Sequence, residues 1–133
     1  MTKKAAAEQK AFAKPDDVRE FPNGRVALVN IGGGSVGRLE LQPGWRWSND
    51  VKPIAGTDWC MVLHEGYCVS GSAVVRAEDG TETRIGPGDG YVIQPGHDAW
   101  VIGGAVVSLN GILIGSEDPE DLVAYFQLLS PME

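Results

Sequence analysis

From Arg25 onward the chain is a succession of short apolar runs, nearly all cut off by glycine, proline or an acid–glycine pair. The runs are Val26–Asn30, Val36–Leu41, Trp45–Trp47, Trp59–Leu63, Tyr67–Ser70, Ala73–Ala77, Thr81–Ile85, Tyr91–Gln94, Trp100–Ile102 and Ala105–Ile114. Strands at this spacing predict an all-β sandwich or barrel, because facing sheets or closure protect the strand edges. Glu78-Asp79-Gly80, between two such runs, reads as a hairpin turn, since Asp-Gly supplies the positive φ that tight turns need. The 18 glycines and 8 prolines sit in a chain that is 43% hydrophobic, which fits strands and turns rather than disorder. At 133 residues the chain is long enough for one domain with its own core.

The two ends differ from the middle. Residues 4–13 have the Ala, Glu, Gln and Lys composition of a helix, stopped by Lys14-Pro15, so 1–24 is expected to be an arm or short helix. Residues 25–115 are expected to form the barrel. From Ser116 an N-cap, Pro119 and a cluster of acids open a second helix over 116–133. Its Leu122, Tyr125, Phe126 and Leu129 share one face, which predicts packing on the barrel or on a second subunit. Gly32, Gly34 and Gly37 satisfy G-x-G-x-x-G, but Val36–Gln42 alternates with period two and ends at Pro43-Gly44. They therefore read as a hairpin turn, not a dinucleotide fingerprint.

Charge and hydropathy exclude several classes of function. The net charge is −7 and no basic cluster is present to neutralise phosphates, so nucleic acid is not an expected partner. The first ten residues are too polar for a secretory core, and no apolar run reaches membrane-spanning length. A cytoplasmic protein is the expectation, with Cys60 and Cys68 as thiols, although their spacing also admits a bridge. Trp45 and Trp47 fall on one side of an extended segment and Arg46 on the other, where it is either solvated or a clamp for a carboxylate.

The stretch Gly86-Pro87-Gly88-Asp89 to Pro95-Gly96-His97-Asp98-Ala99-Trp100 reads as turn, strand, turn, with a histidine just beyond. Upstream, His64-Glu65-Gly66-Tyr67-Cys68-Val69-Ser70-Gly71 places another histidine at the head of a strand that ends in a glycine turn. Together with Pro43–Ser48, Val51–Asp58 and Asp79–Glu82, these segments resemble the small stand-alone cupins over residues 34–114. The resemblance implies an all-β, double-stranded β-helix or jelly-roll barrel, and a homodimer holding a small polar or acidic molecule.

Metal-binding cupins carry a His-x-His pair, then a carboxylate, and a last histidine three residues after the glycine of the second motif. In the corresponding slots this chain has Asp58, Cys60, His64 and Ala99. His97 lies two residues before Ala99, so it has the parity of the missing histidine, displaced by about 7 Å along an extended chain. Asp58, Cys60, His64 and His97 would offer one oxygen, one sulfur and two nitrogens, a set suited to zinc or ferrous iron. Glu65 has the opposite parity to His64, and Asp98 either orients His97 or caps a turn. Trp59, Tyr67 and Trp100 are the expected barrel lining, with Arg46 as a further ligand contact. The resemblance spans oxygenases, lyases and isomerases, so the reaction stays open. Two alternatives stand beside the metal site: a metal-free ligand-binding or sensory module, and a barrel that serves only as a dimerisation scaffold.

Overall fold

The computed structural model describes residues 6–110. The helix expected over 116–133 and residues 111–114 of the last run lie outside them. Among the described residues the strands are β1 (Asp17–Phe21), β2 (Gly24–Ile31), β3 (Gly34–Leu41), β4 (His64–Ala77), β5 (Glu82–Ile85), β6 (Gly90–Ile93) and β7 (His97–Asn110). Two single-turn helices, α1 (Trp47–Asp50) and α2 (Lys52–Ala55), separate β3 from β4. No helix among the described residues is long and apolar enough to cross a membrane.

All pairings are antiparallel, in the order β1-β2-β3-β7-β4-β5, with β6 added beside the start of β4. The long strands β4 and β7 each serve both halves of the fold. Gly66–Cys68 pair with the end of β7, which also carries β3, whereas Ser72–Ala77 pair with its beginning. The register shifts between Cys68 and Ser72, where Gly71 takes a φ of 76°. A Cβ at Gly71 would collide with the carbonyl of Ala105, so β7 passes the bend only because that atom is missing. The two halves close on one core. Val26, Leu28, Leu41 and Val106 from one half pack in the same cluster as Val75 and Ile85 from the other.

Both expected turns are present. Gly32 and Gly33, at φ of 60° and 80°, join β2 to β3, which is the hairpin reading of the glycine motif. In the Asp79-Gly80 turn only Gly80 takes a positive φ, 89°, and the Asp79 carboxylate accepts a hydrogen bond from the Thr81 amide.

Three expectations about local structure are corrected. Residues 6–13 contain no helix, and the segment assigned to an arm includes β1; composition alone carries too little energy to hold an isolated helical turn. Trp45–Trp47 is not a strand: Arg46 makes one bridge to Trp100 and the chain then turns into α1. Two carboxylates hold that turn, Asp50 accepting from the Arg46 amide (2.9 Å) and Asp98 from the Ser48 amide (3.1 Å). Trp59–Leu63 likewise makes a single bridge, Cys60 to His97, although its side chains still alternate inward and outward.

Candidate metal centre and cavity

Between the two halves lies a cavity of about 100 Å³ with largely apolar walls. Three polar side chains meet on one part of its lining. Cys60 and His97 are directly opposed, the Cys60 amide donating to the His97 carbonyl at 2.8 Å, so both side chains leave the backbone on the same side. His64 opens β4 four residues after Cys60 and so repeats its parity. The donor atoms of Cys60, His64 and His97 all lie within 4.8 Å of one another. Cys60 Sγ is 3.6 Å from His64 Nε2, and the two imidazoles stand edge to face with centroids 5.3 Å apart.

Hydrogen bonding and burial leave the two imidazoles as electron-pair donors and hold the thiol protonated. His97 Nδ1 donates to the Gln94 carbonyl at 2.7 Å, which fixes the tautomer and leaves Nε2 with its lone pair. Burial, and secondarily the neighbouring His97, push His64 down to about 3. Burial also lowers His97, and it raises the Cys60 thiol to about 11. With no ion the trio is thus a neutral thiol and two neutral imidazoles.

Cys60 and His64 stand at the spacing that two ligands of one divalent metal take. Tetrahedral zinc, with bonds of about 2.3 Å to sulfur and 2.0–2.1 Å to nitrogen, would hold those two ligands about 3.6 Å apart. The Cys60–His64 separation matches that value.

Other candidates fall elsewhere. The Asp58 side chain is 90% exposed and lies 3.6 Å from Lys52 Nζ. Residues 57–59 form a bend, tied by the Thr57 hydroxyl to the Trp59 carbonyl, and alternation does not hold through a bend. Trp59, Tyr67 and Trp100 are not among the cavity-lining residues. Each is the immediate neighbour of an inward residue, Cys60, Cys68 and Ala99 respectively, and therefore points to the other face. Tyr67 is 50% exposed. Arg46 stacks its guanidinium over the outward Trp100 at 4.3 Å and pairs with Asp98 at 3.4 Å. Asp98 accordingly braces α1 and Arg46, while Gln94 orients His97. Cys60 and Cys68 are both free thiols.

The lining instead includes Trp45, Trp47 and a polar group absent from the expectations, Tyr91, Ser108 and Asn110. Tyr91 is hydrogen-bonded to the Ser108 hydroxyl and donates to Asn110 Oδ1 at 2.9 Å. Its ring crosses β4 over Gly66, where a Cβ would lie 2.6 Å from the phenol oxygen. Period-two alternation from Ile93 signals that Tyr91 faces inward. What it reaches depends on register.

No family model matches the sequence, and no curated protein matches it. Solved structures do. The oxalate decarboxylase of Lactobacillus farciminis, solved as a formate complex, matches with a TM-score of 0.58 at 14% identity, over 99% of this chain and 46% of that one. A DUF1255 protein of unknown function from Acinetobacter sp. ADP1 gives 0.51 at 11% identity, over 74% and 97% of the two chains. A Vibrio parahaemolyticus protein of unknown function gives 0.50 at 14%, over 66% and 85%. The fold is that of a cupin. The chain spans less than half of the oxalate decarboxylase chain. Of the slots that metal-binding cupins fill, it brings Cys60 and His64 to the trio, turns Asp58 outward and sets Ala99 in the cavity wall. His97 completes the trio from two residues upstream.

Proposed function

We propose that this cupin binds a small molecule through one divalent metal, zinc or ferrous iron by ligand type, held by Cys60, His64 and His97. The observation that carries the reading is the convergence of three donor atoms, on buried Cys60 and His97 and half-buried His64, within 4.8 Å on the wall of the cavity. A bound divalent ion supplies a Lewis acid that polarises a carbonyl or carboxylate. The chain's own contribution is orientation: the Gln94 carbonyl holds His97, the Cys60–His97 rung fixes both side chains, and the apolar walls exclude water. Three protein donors leave coordination to be completed from the cavity, as catalytic sites require.

A small acidic ligand suits this arrangement. No lysine or arginine is among the lining residues, so the metal would be the positive charge offered to a carboxylate. The Lactobacillus farciminis neighbour, an oxalate decarboxylase in complex with formate, is in keeping with such a ligand at the level of fold. The reaction, if there is one, would be of oxygenase, lyase or isomerase type.

One observation favours a metal-free binding module instead. Burial holds Cys60 as a thiol, so the imidazoles and thiol would simply hydrogen-bond a ligand. Elemental analysis of untagged protein decides between the two. The expected result is about one zinc or iron per chain in the wild type, and loss of most of it in His64→Ala with the circular dichroism of the barrel retained. Metal-free wild-type protein after metal-supplemented expression would transfer the function to the binding module.

A further inference from the structure

The polar groups facing the cavity are unevenly matched. Tyr91 occupies Asn110 Oδ1, but Asn110 Nδ2 has no hydrogen-bond partner among the described residues, and Trp45 Nε1 is in the same state. The two residues are 1% and 7% exposed, and both line the cavity. Both unmet groups are donors, and no buried side-chain acceptor is left over among the described residues. Buried donors rarely stay unmet, so the cavity calls for lone pairs from its contents.

The placement of Asn110 defines a second pole. Asn110 pairs with Gly66 on β4, two residues and about 7 Å along the strand from His64. The rest of the lining is largely apolar and includes Leu41, Val62 and Ile93. The cavity, about 100 Å³, is well below the roughly 300–1,000 Å³ of pockets for drug-sized ligands, which points to a small ligand.

We propose that the ligand is a small aliphatic oxo acid: a ketone-type oxygen accepts the hydrogen bond of Asn110 Nδ2, and a short apolar chain carries a carboxylate toward Cys60, His64 and His97. The carboxylate end rests on the metal reading above; the ketone end does not. Calorimetric titration with 4-oxopentanoate and with pentanoate separates them, using zinc-loaded and chelator-stripped protein. The wild type is expected to prefer the oxo acid by about three- to tenfold, the range of one net hydrogen bond, in both states. Asn110→Asp keeps an oxygen for Tyr91 and deletes the amide donor, so the preference should vanish. Should that variant fail to fold, the side-chain amide resonance of Asn110 in the wild type gives the same answer, shifting with the oxo acid and not with pentanoate. Equal wild-type affinities for the two acids, or binding of neither, would overturn the inference. Stripping zinc should weaken both acids by the same factor; no change there would sink the metal reading alone.

Discussion

Gly66 shows how much of the cavity depends on a missing atom. Its Cα hydrogens leave room for the Tyr91 ring to cross β4, and a methyl group there would stand 2.6 Å from both the phenol oxygen and the Leu109 carbonyl. The carbonyl belongs to the β7 backbone and cannot yield cheaply. Gly66→Ala is therefore expected to cost about 1–3 kcal/mol in urea unfolding and to separate Tyr91 from Asn110. Burial raises the Tyr91 hydroxyl above its ordinary value of about 10. The folded state thus favours the neutral phenol, a contribution fully present below the unfolded value and lost as pH rises through the folded one. Tyrosinate absorbance should show a late alkaline step that Tyr91→Phe removes. Among the trio, Cys60 is the sulfur donor, so cobalt-loaded wild type should show a near-ultraviolet thiolate-to-cobalt band that Cys60→Ser abolishes. A band that survives would take the sulfur out of the site.

At the level of elements, the decisive device is the pair of long strands that pass from one half to the other. Gly71→Ala would combine a left-handed backbone, φ 76°, with collision against Ala105, and should lose more than about 2 kcal/mol. Gly88→Ala has φ 88° but nothing within 4 Å, so conformational strain alone, about 1–2 kcal/mol, is expected. Equal losses in chevron or equilibrium unfolding would mean that close packing at the bend contributes nothing. Most of the strands were legible because a period of two and glycine turns are local properties of the chain. The breaks at Trp47 and Thr57 were not, since Asp50, Asp98 and Trp59 create them through contacts that no periodicity encodes. The same alternation that placed His97 inside also sends Trp59, Tyr67 and Trp100 outside; their size suggested a lining, and the pleat decided otherwise. Tyr91, Ser108 and Asn110 meet only through the register of β6, β4 and β7, which a single sequence does not display.

Across the whole molecule, the core and the trio share one cluster, since Cys60 packs in it with Val26 and Leu28. Val26 and Leu28 are completely buried among apolar neighbours, and Leu28→Ala should cost about 2–5 kcal/mol whether or not metal is present. On the proposed metal reading, an ion would instead add stability by mass action, rising with its free concentration, so melting temperature should climb on titration and return on chelation. The neutrality of Cys60, His64 and His97 without an ion gives this a biological side. On the proposed metal reading, a vacant site of this kind would leave no naked charge inside the barrel, so the empty protein would not carry the cost of a buried ion. The ion would then be a guest and not a rivet. A cell could keep a standing stock of folded, empty protein and fill it as supply allows, with occupancy tracking availability instead of synthesis.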